Sequence, residues 1–394
     1  MITTGQPSSN PRLVKEADAL TAKGFQVSVY YCHWAKWADI NDEKLLKEKE
    51  WNAFRCGGHP NKNIVRWYFT RFRQKLARNL PGLIGVHRLF CRSYDELLFK
   101  VLRSNADFYI AHNLGALAVA GKAAQKQNKP FAFDAEDFHR GEVSLDSIES
   151  NLIKELEDKY LKYASYISAA SPLIEMVYKK LYPGIQTITI NNVFPLANQP
   201  RFLELSGISE LRMFWFSQKI SKVRGLPDVL KAMELLKEIP IHLTLLGNSS
   251  EEERIYINSS ISSDKHKISI INPCSELELI KTSANHHIGL ALERTEPYNR
   301  SICLTNKLFT YLLAGNAIIA SDTPAQKKFL TANPEVGSFY SIGNITELAN
   351  LIRKFHLDRE HLSKIRRNAW LLAQDLYNWE KEQIKLLNLI RTIH

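Results

Sequence analysis

The chain has 394 residues, 45% of them hydrophobic and 24% charged, and 52 Lys and Arg against 41 Asp and Glu leave a net charge of +11. That length exceeds one ordinary hydrophobic core and predicts two domains, while the positive balance predicts an anionic partner of some kind. No apolar run is long enough to span a bilayer and no signal peptide follows Met1, so a cytoplasmic protein is expected.

The five cysteines never form a CxxC pair, and the twelve histidines show no HExxH or comparable spacing. Reduced thiols and no metal site are expected. The adjacent His286 and His287 read as surface or strand-end residues.

In chain order, a strand stub at 2–4 leads into the loop Gly5-Gln6-Pro7-Ser8-Ser9. Asn10 as N-cap and Pro11 as first helical residue then open a helix that Gly24 ends, and a strand follows at 25–31. From Lys62 to Arg103 the segment carries ten Lys and Arg against Asp95 and Glu96 only, interleaved with Trp67, Tyr68, Phe69, Phe72 and Leu83. This mixture suits either a helical excursion packed on its own domain or contact with an anionic membrane surface. Nucleic acid would attract the same charges, but no nucleic-acid motif accompanies them.

Strand and helix then alternate through strands at 108–111, 130–133, 166–169 and 186–190. Polar and ionisable residues, among them His112 and the run Asp134-Ala135-Glu136-Asp137, gather at the C-terminal ends of these strands, where open α/β sheets bind ligands. Residues 191–207 have two prolines and little periodicity, and read as an interdomain connection. The alternation restarts with an apolar strand at 211–216, a basic loop from Ser217 to Gly225, strands at 241–246 and 267–271, and a Ser275/Glu278 capping box. A strand at 287–292 then leads through a polar loop to a helix opening at Thr305 or Asn306 and stopping at Gly315. A loop feeding a helix N-terminus gathers free backbone N–H groups and the positive end of the helix dipole, which suits a phosphate. Three helices close the chain.

Four stretches resemble a known family. NKLFTYLLAGNAIIASD is similar to the signature of retaining glycosyltransferases of the GT-B fold, family 4. TTGQPSSNPRLVKEADAL resembles the opening loop and first helix of that group. FWFSQKISKVRGLPDVLKA resembles its basic loop, with Lys219 and Arg224 at the two cationic positions, and NNVFP resembles the strand end before its second domain. The resemblance implies an α/β GT-B architecture: two doubly wound Rossmann-like domains, an acceptor-side domain over 1–195 and a nucleotide-sugar-binding domain over 208–394, facing a cleft. The last helices are candidates to pack back on the first domain.

The implied reaction moves a sugar from a nucleoside-diphosphate-sugar to a hydroxyl of a saccharide or lipid-linked acceptor, with no metal and no tightly bound cofactor. Gly5, Lys219, Arg224, Asn306 and Lys307 are the expected donor-phosphate contacts, since fixed positive charge must stabilise the leaving diphosphate. Glu296 is implied as the clamp on sugar hydroxyls, with Glu293 its rival. The family's second glutamate, which bonds the ribose, is Thr310 here, so one neutral hydrogen bond replaces two charged ones. His112 resembles the histidine that faces the donor sugar. The run Asp134-Ala135-Glu136-Asp137 stands where relatives often read D-x-H-E, which puts Glu136 at the histidine position and Asp137 at the glutamate position, and either one, or the leaving phosphate, is the candidate proton acceptor. The expected setting is cell-surface glycan synthesis on the inner face of a membrane, without nucleic acid. A catalytically silent partner subunit and a GT-B sugar epimerase are the alternatives.

Overall fold

The computed structural model describes residues 1–205 and 207–393. The chain forms two compact units, one of residues Met1–Ile190 plus the chain from Gln383 on, the other of Asn191–Glu382.

The strands of unit 1 are β1 (Ile2–Thr3), β2 (Ser28–Cys32), β3 (Asn52–Cys56), β4 (Tyr109–His112), β5 (Phe131–Ala135), β6 (Tyr166–Ala169) and β7 (Gln186–Thr189). They make one parallel sheet in the order β3-β2-β1-β4-β5-β6-β7. Its short β1 sits in the middle, Ile2 level with Tyr30 and Ala111, and Thr3 level with His112. Every residue of β4, β5 and β6 is buried, as expected of strands covered by helices on both faces. The crossovers are α1 (Pro11–Thr21), α2 (Lys36–Lys47), α3 (Ile64–Asn79), α4 (Pro81–Ile84), α5 (Val86–Phe90), α6 (Tyr94–Leu102), α7 (Leu114–Gln127), α8 (Ile148–Tyr160) and α9 (Pro172–Leu181). Asn10 caps α1 as its sequence predicts, its Oδ1 accepting from the Leu13 N–H at 3.0 Å.

Unit 2 repeats the design with β8 (Leu211–Lys219), β9 (Ile241–Asn248), β10 (His266–Ile271), β11 (Ile288–Ala291), β12 (Ala317–Ser321) and β13 (Gly337–Tyr340), in the order β10-β9-β8-β11-β12-β13 and again parallel. Around them lie α10 (Leu226–Glu234), α11 (Glu251–Ser259), α12 (Glu276–Ala284), α13 (Asn299–Ile302), α14 (Asn306–Ala314), α15 (Pro324–Ala332), α16 (Ile345–Leu357) and α17 (Arg359–Asp375). Leu211, Met213, Trp215, Leu243, Leu245, Leu290 and Ile319 anchor its core. The Ser275/Glu278 capping box opens α12, and Gly315 ends α14 in the left-handed conformation at φ 73°, which costs glycine nothing. The last helix, α18 (Trp379–Ile393), starts in unit 2 and from Gln383 belongs to unit 1.

Two expectations change. The stretch 191–205 is not a free connection: Asn191 donates to Glu382 through its N–H (3.0 Å) and Nδ2 (2.8 Å), and Gln199 Nε2 and the Pro200 carbonyl bond Trp370 of α17. It is therefore part of unit 2, and the boundary falls at residue 190 rather than 195; Ser206, within the expected connection, lies outside the described residues. Of the two readings of His286 and His287, strand end holds and surface does not: they directly precede β11 and are buried. His286 bonds the Thr282 carbonyl and the Thr244 hydroxyl, both at 2.8 Å, and His287 accepts from the Arg212 N–H at 3.0 Å. Burial holds the two imidazoles down at about 4 and about 3.

Candidate functional site

In unit 2 the expected donor residues collect at the C-terminal ends of β8 and β11 and the start of α14. Strand β8 buries Phe214 and Trp215 and delivers Lys219 to the surface, with a register irregularity between Phe216 and Lys219. The basic loop beyond it is held by Gly225. Its φ is 74°, and a Cβ there would lie 2.7 Å from the Leu292 Cβ, so the loop that carries Arg224 packs directly on the exit of β11. Arg224 is partly exposed and has no carboxylate partner among the described residues, and Lys219 is exposed, 3.7 Å from Glu253.

The residue after Leu292 is Glu293, which is buried. Its N–H donates to Ser321 Oγ at 2.8 Å, and Lys307 Nζ meets its Oε1 at 2.5 Å. The same ammonium lies 5.9 Å from the ring centroids of Trp215 and Phe216. The charge of Lys307 is therefore spent inside the protein, and the expected Lys307–phosphate contact gives way to an ion pair that pins the start of α14 to β11. With Glu293 occupied in this way, Glu296 is the carboxylate left in the loop: it is exposed and makes no ion pair among the described residues.

The N-terminus of α14 is uncapped. Thr305 is its N-cap but makes no side-chain capping bond, and its hydroxyl is buried without a partner among the described residues. The helix thus keeps the donor-rich end that an anion stabilises. Asn306 is exposed there and its Oδ1 accepts from Asn192 Nδ2 at 3.1 Å, so two of the family-like stretches meet. Thr310, the expected ribose contact, lies one turn further along the helix. Residues 307–314 of α14 are all buried, Thr310 is fully enclosed, and its hydroxyl has no partner among the described residues.

In unit 1, Gly5 leaves β1 with its N–H on Thr3 Oγ1 at 3.2 Å. The loop is organised by its neighbour Gln6, which the sequence did not single out. The buried Gln6 amide donates to Asp39 (3.0 Å) and Asp42 (2.9 Å), and its Oε1 accepts from the N–H groups of Trp34 and Ala35. A second missed residue is Arg12, buried and bidentate on Asp134, both contacts 2.6 Å.

His112 is fully enclosed beside that pair, not on an accessible surface. Its Nδ1 lies 3.1 Å from Asp134 and 3.6 Å from Glu136, and its Nε2 lies 3.4 Å from Glu16. Burial opposes its charge, but Glu16, Asp134 and Glu136 outweigh that and push the imidazole up to about 10. Burial, followed by repulsion from Asp134, pushes the Glu16 carboxyl up to about 7. Glu136 is half-buried and also receives Asn10 Nδ2 at 2.5 Å, while Asp137 is half-buried beside it. The chain thus brings His112 and Glu136 together, with Glu136 the more exposed of the two.

Among the described residues two clusters have the composition of a metal site, and neither suits a cation as it stands. In the group Glu16, His112 and Asp134, both carboxylates already pair with the Arg12 guanidinium. In the group His33, Asp39 and His59, the Nδ1 of His59 accepts from the Asn61 and Lys62 N–H groups, so its Nε2 carries the proton given to Asp39 at 2.9 Å.

Residues 227–388 match a family model described as glycosyl transferase-like. No curated protein sequence matches the chain. Among solved structures, HepE from Anabaena, in complex with UDP and glucose, is similar at TM-score 0.67 and 15% identity over 99% of each chain. Sucrose-phosphate synthase from Thermosynechococcus elongatus is similar at TM-score 0.69 and 15% identity over 100% of this chain and 98% of its own. A glycosyltransferase from Rickettsia africae reaches TM-score 0.70 at 12% identity, with the same coverage. At such identities the likeness is one of fold. The chain therefore has the GT-B glycosyltransferase fold, and the stretch similar to the glycosyl transferase-like model falls mostly in its second unit.

Proposed function

We propose that the protein is a retaining glycosyltransferase that moves a sugar from a nucleoside-diphosphate-sugar to a hydroxyl of a saccharide or lipid-linked acceptor. The observation that carries this reading is the packing of the Lys219–Arg224 loop against the exit of β11, beside the uncapped start of α14. Fixed cations and free N–H groups in one place are what a departing diphosphate requires, since charge develops on it as the glycosidic bond breaks. Arg224 supplies a planar fork for phosphate oxygens and Lys219 a point charge. Glu296, free of the ion pair that engages Glu293, is the carboxylate for the sugar hydroxyls. Retention of configuration follows from the resemblance to family 4. HepE, which shares the fold, binds UDP and glucose, and a UDP-sugar is accordingly the first donor to try.

Unit 1 supplies the acceptor-side acid. Glu136, oriented by Asn10 and by the His112 imidazolium, is the carboxylate that receives the acceptor proton or supports the cationic sugar, with Asp137 next to it. His112 is a positioning residue.

The test is slow hydrolysis of a panel of nucleotide-sugars by the purified protein. At least one donor is expected to release its nucleoside diphosphate, with the sugar's anomeric configuration kept at first release. Glu296→Gln should raise KM for that donor by about tenfold or more, the worth of a hydrogen bond to a charged group. Release of no nucleotide from any donor, or a Glu296→Gln protein with unchanged KM and kcat, contradicts the reading.

A further inference from the structure

Helix α3 turns the wrong face outward for a helix that only covers its own domain. Its inner face is Trp67, Thr70, Gln74 and Ala77, of which Thr70 and Ala77 are fully buried. On the opposite face Val65, Tyr68, Phe69 and Phe72 are 81%, 65%, 60% and 61% exposed. These four follow the i, i+3, i+4, i+7 spacing of one helical stripe, so the exposed apolar surface is continuous rather than scattered.

The charges flank that stripe. Helical geometry at 3.6 residues per turn places Arg71, Lys75 and Arg78 along one side of it, and Arg66 and Arg73 along the other. The two acids of the basic segment are already neutralised, Asp95 by Arg73 (2.5 Å) and Arg88 (2.8 Å), and Glu96 by Arg66 (3.1 Å) and Lys100 (3.4 Å). Arg71, Lys75 and Arg78 pair with no carboxylate among the described residues; Arg71 rests on the Trp67 ring at 4.9 Å. The helix is fixed in this orientation from beneath, because Arg92 lies over Trp67 at 4.1 Å and the His33 ring packs on the same indole at 5.2 Å. Among the described residues no helix is long and apolar enough to cross a membrane.

We propose that the outward face of α3 docks on an anionic lipid bilayer, with Val65, Tyr68, Phe69 and Phe72 in the headgroup layer and Arg71, Lys75 and Arg78 on lipid phosphates. An interfacial helix needs both an apolar stripe that enters the layer and cations beside it, and both are present. A nucleic acid satisfies the cations alone and leaves Val65 and Phe72 against phosphate. A second copy of the chain would bring basic flank against basic flank. The proposal is independent of the transferase reading, because it involves no donor-binding residue.

The test is cosedimentation of the intact protein with vesicles of phosphatidylcholine alone or mixed with phosphatidylglycerol, at low and high salt. Binding is expected to the mixed vesicles only and to weaken with salt. Replacing Arg71, Lys75 and Arg78 by Gln together should lower the partition coefficient about a hundredfold, at roughly fivefold for each basic residue. Phe69→Ser with Phe72→Ser should also release the protein, while both variants keep the wild-type circular-dichroism spectrum and a cooperative thermal transition, which shows them folded. Equal binding to neutral vesicles, or vesicle binding that survives both variants, overturns the proposal. So does competition by duplex DNA that the Phe69 and Phe72 variants leave unchanged, or a dimer that the same variants dissociate in the absence of vesicles.

Discussion

Residue by residue, the decisive fact about His112 is its company. Its type and its place at a strand's C-terminal end were legible in the sequence. What could not be read there was that Arg12, Glu16 and Asp134, distant in the chain, enclose it. A buried imidazolium among carboxylates is a stability device with a definite sign. Because the folded-state value is raised, the contribution is fully present below the ordinary imidazole range and is lost as pH rises toward about 10. Melting temperature is therefore expected to fall as pH is raised from about 6.5 to about 10. His112→Gln should lower the melting temperature near neutral pH, since removing one partner of a buried pair typically costs about 3–5 kcal/mol, and should flatten that slope. His139, pushed up to about 9 chiefly by Glu142 against the cost of burial, and the thiols of Cys56 and Cys91, pushed up by burial to about 12, remain in the variant and leave a residual slope. A variant whose slope equals that of the wild type would show that His112 is not the titrating group. Lys307 teaches the same lesson, since its partner Glu293 lies fourteen residues away across a loop, and no periodicity announces the pair.

At the scale of elements, the apolar runs and the caps carried most of the information. Strands β4, β5, β6 and β12 and the middle of β8 are nearly continuous hydrophobic runs, and Asn10, Ser275 and Gly315 mark helix ends by their own hydrogen-bonding and backbone preferences. The missed elements lack those signals. Strand β3 is an edge strand with two of its five residues exposed, so it has neither a buried run nor a clean alternation. Helix α2 buries only Ala38 and Asp42, and Asp42 is held by Gln6 rather than by a hydrophobic stripe. In the basic segment, helices were legible but the direction of their faces was not, because both faces of α3 carry aromatic residues and only packing tells Trp67 from Phe69. The donor loop gives an element-level prediction. Gly225→Ala introduces both a Cβ at 2.7 Å from Leu292 and a side chain at φ 74°, with strain of roughly 1–3 kcal/mol. It should lower the melting temperature and weaken nucleotide binding together, as the loop moves off β11. Gly184→Ala, where an added Cβ meets nothing within 4 Å, should change neither.

For the whole molecule, two parallel sheets of the same design on one chain were predictable from repeated strand–helix alternation, and the GT-B fold is what the structural comparisons return. Fold by itself does not supply an activity. The account rests on unit 2 binding a nucleoside diphosphate through Arg224, Lys219 and the start of α14. Titration calorimetry with UDP, ADP and GDP, on the wild type and on Lys219→Ala and Arg224→Ala, tests this most directly. At least one nucleotide is expected to bind, with affinity about tenfold or more weaker in Arg224→Ala, the worth of a charge-assisted hydrogen bond. Absence of binding by all three nucleotides, or affinities unchanged in both variants, would contradict it.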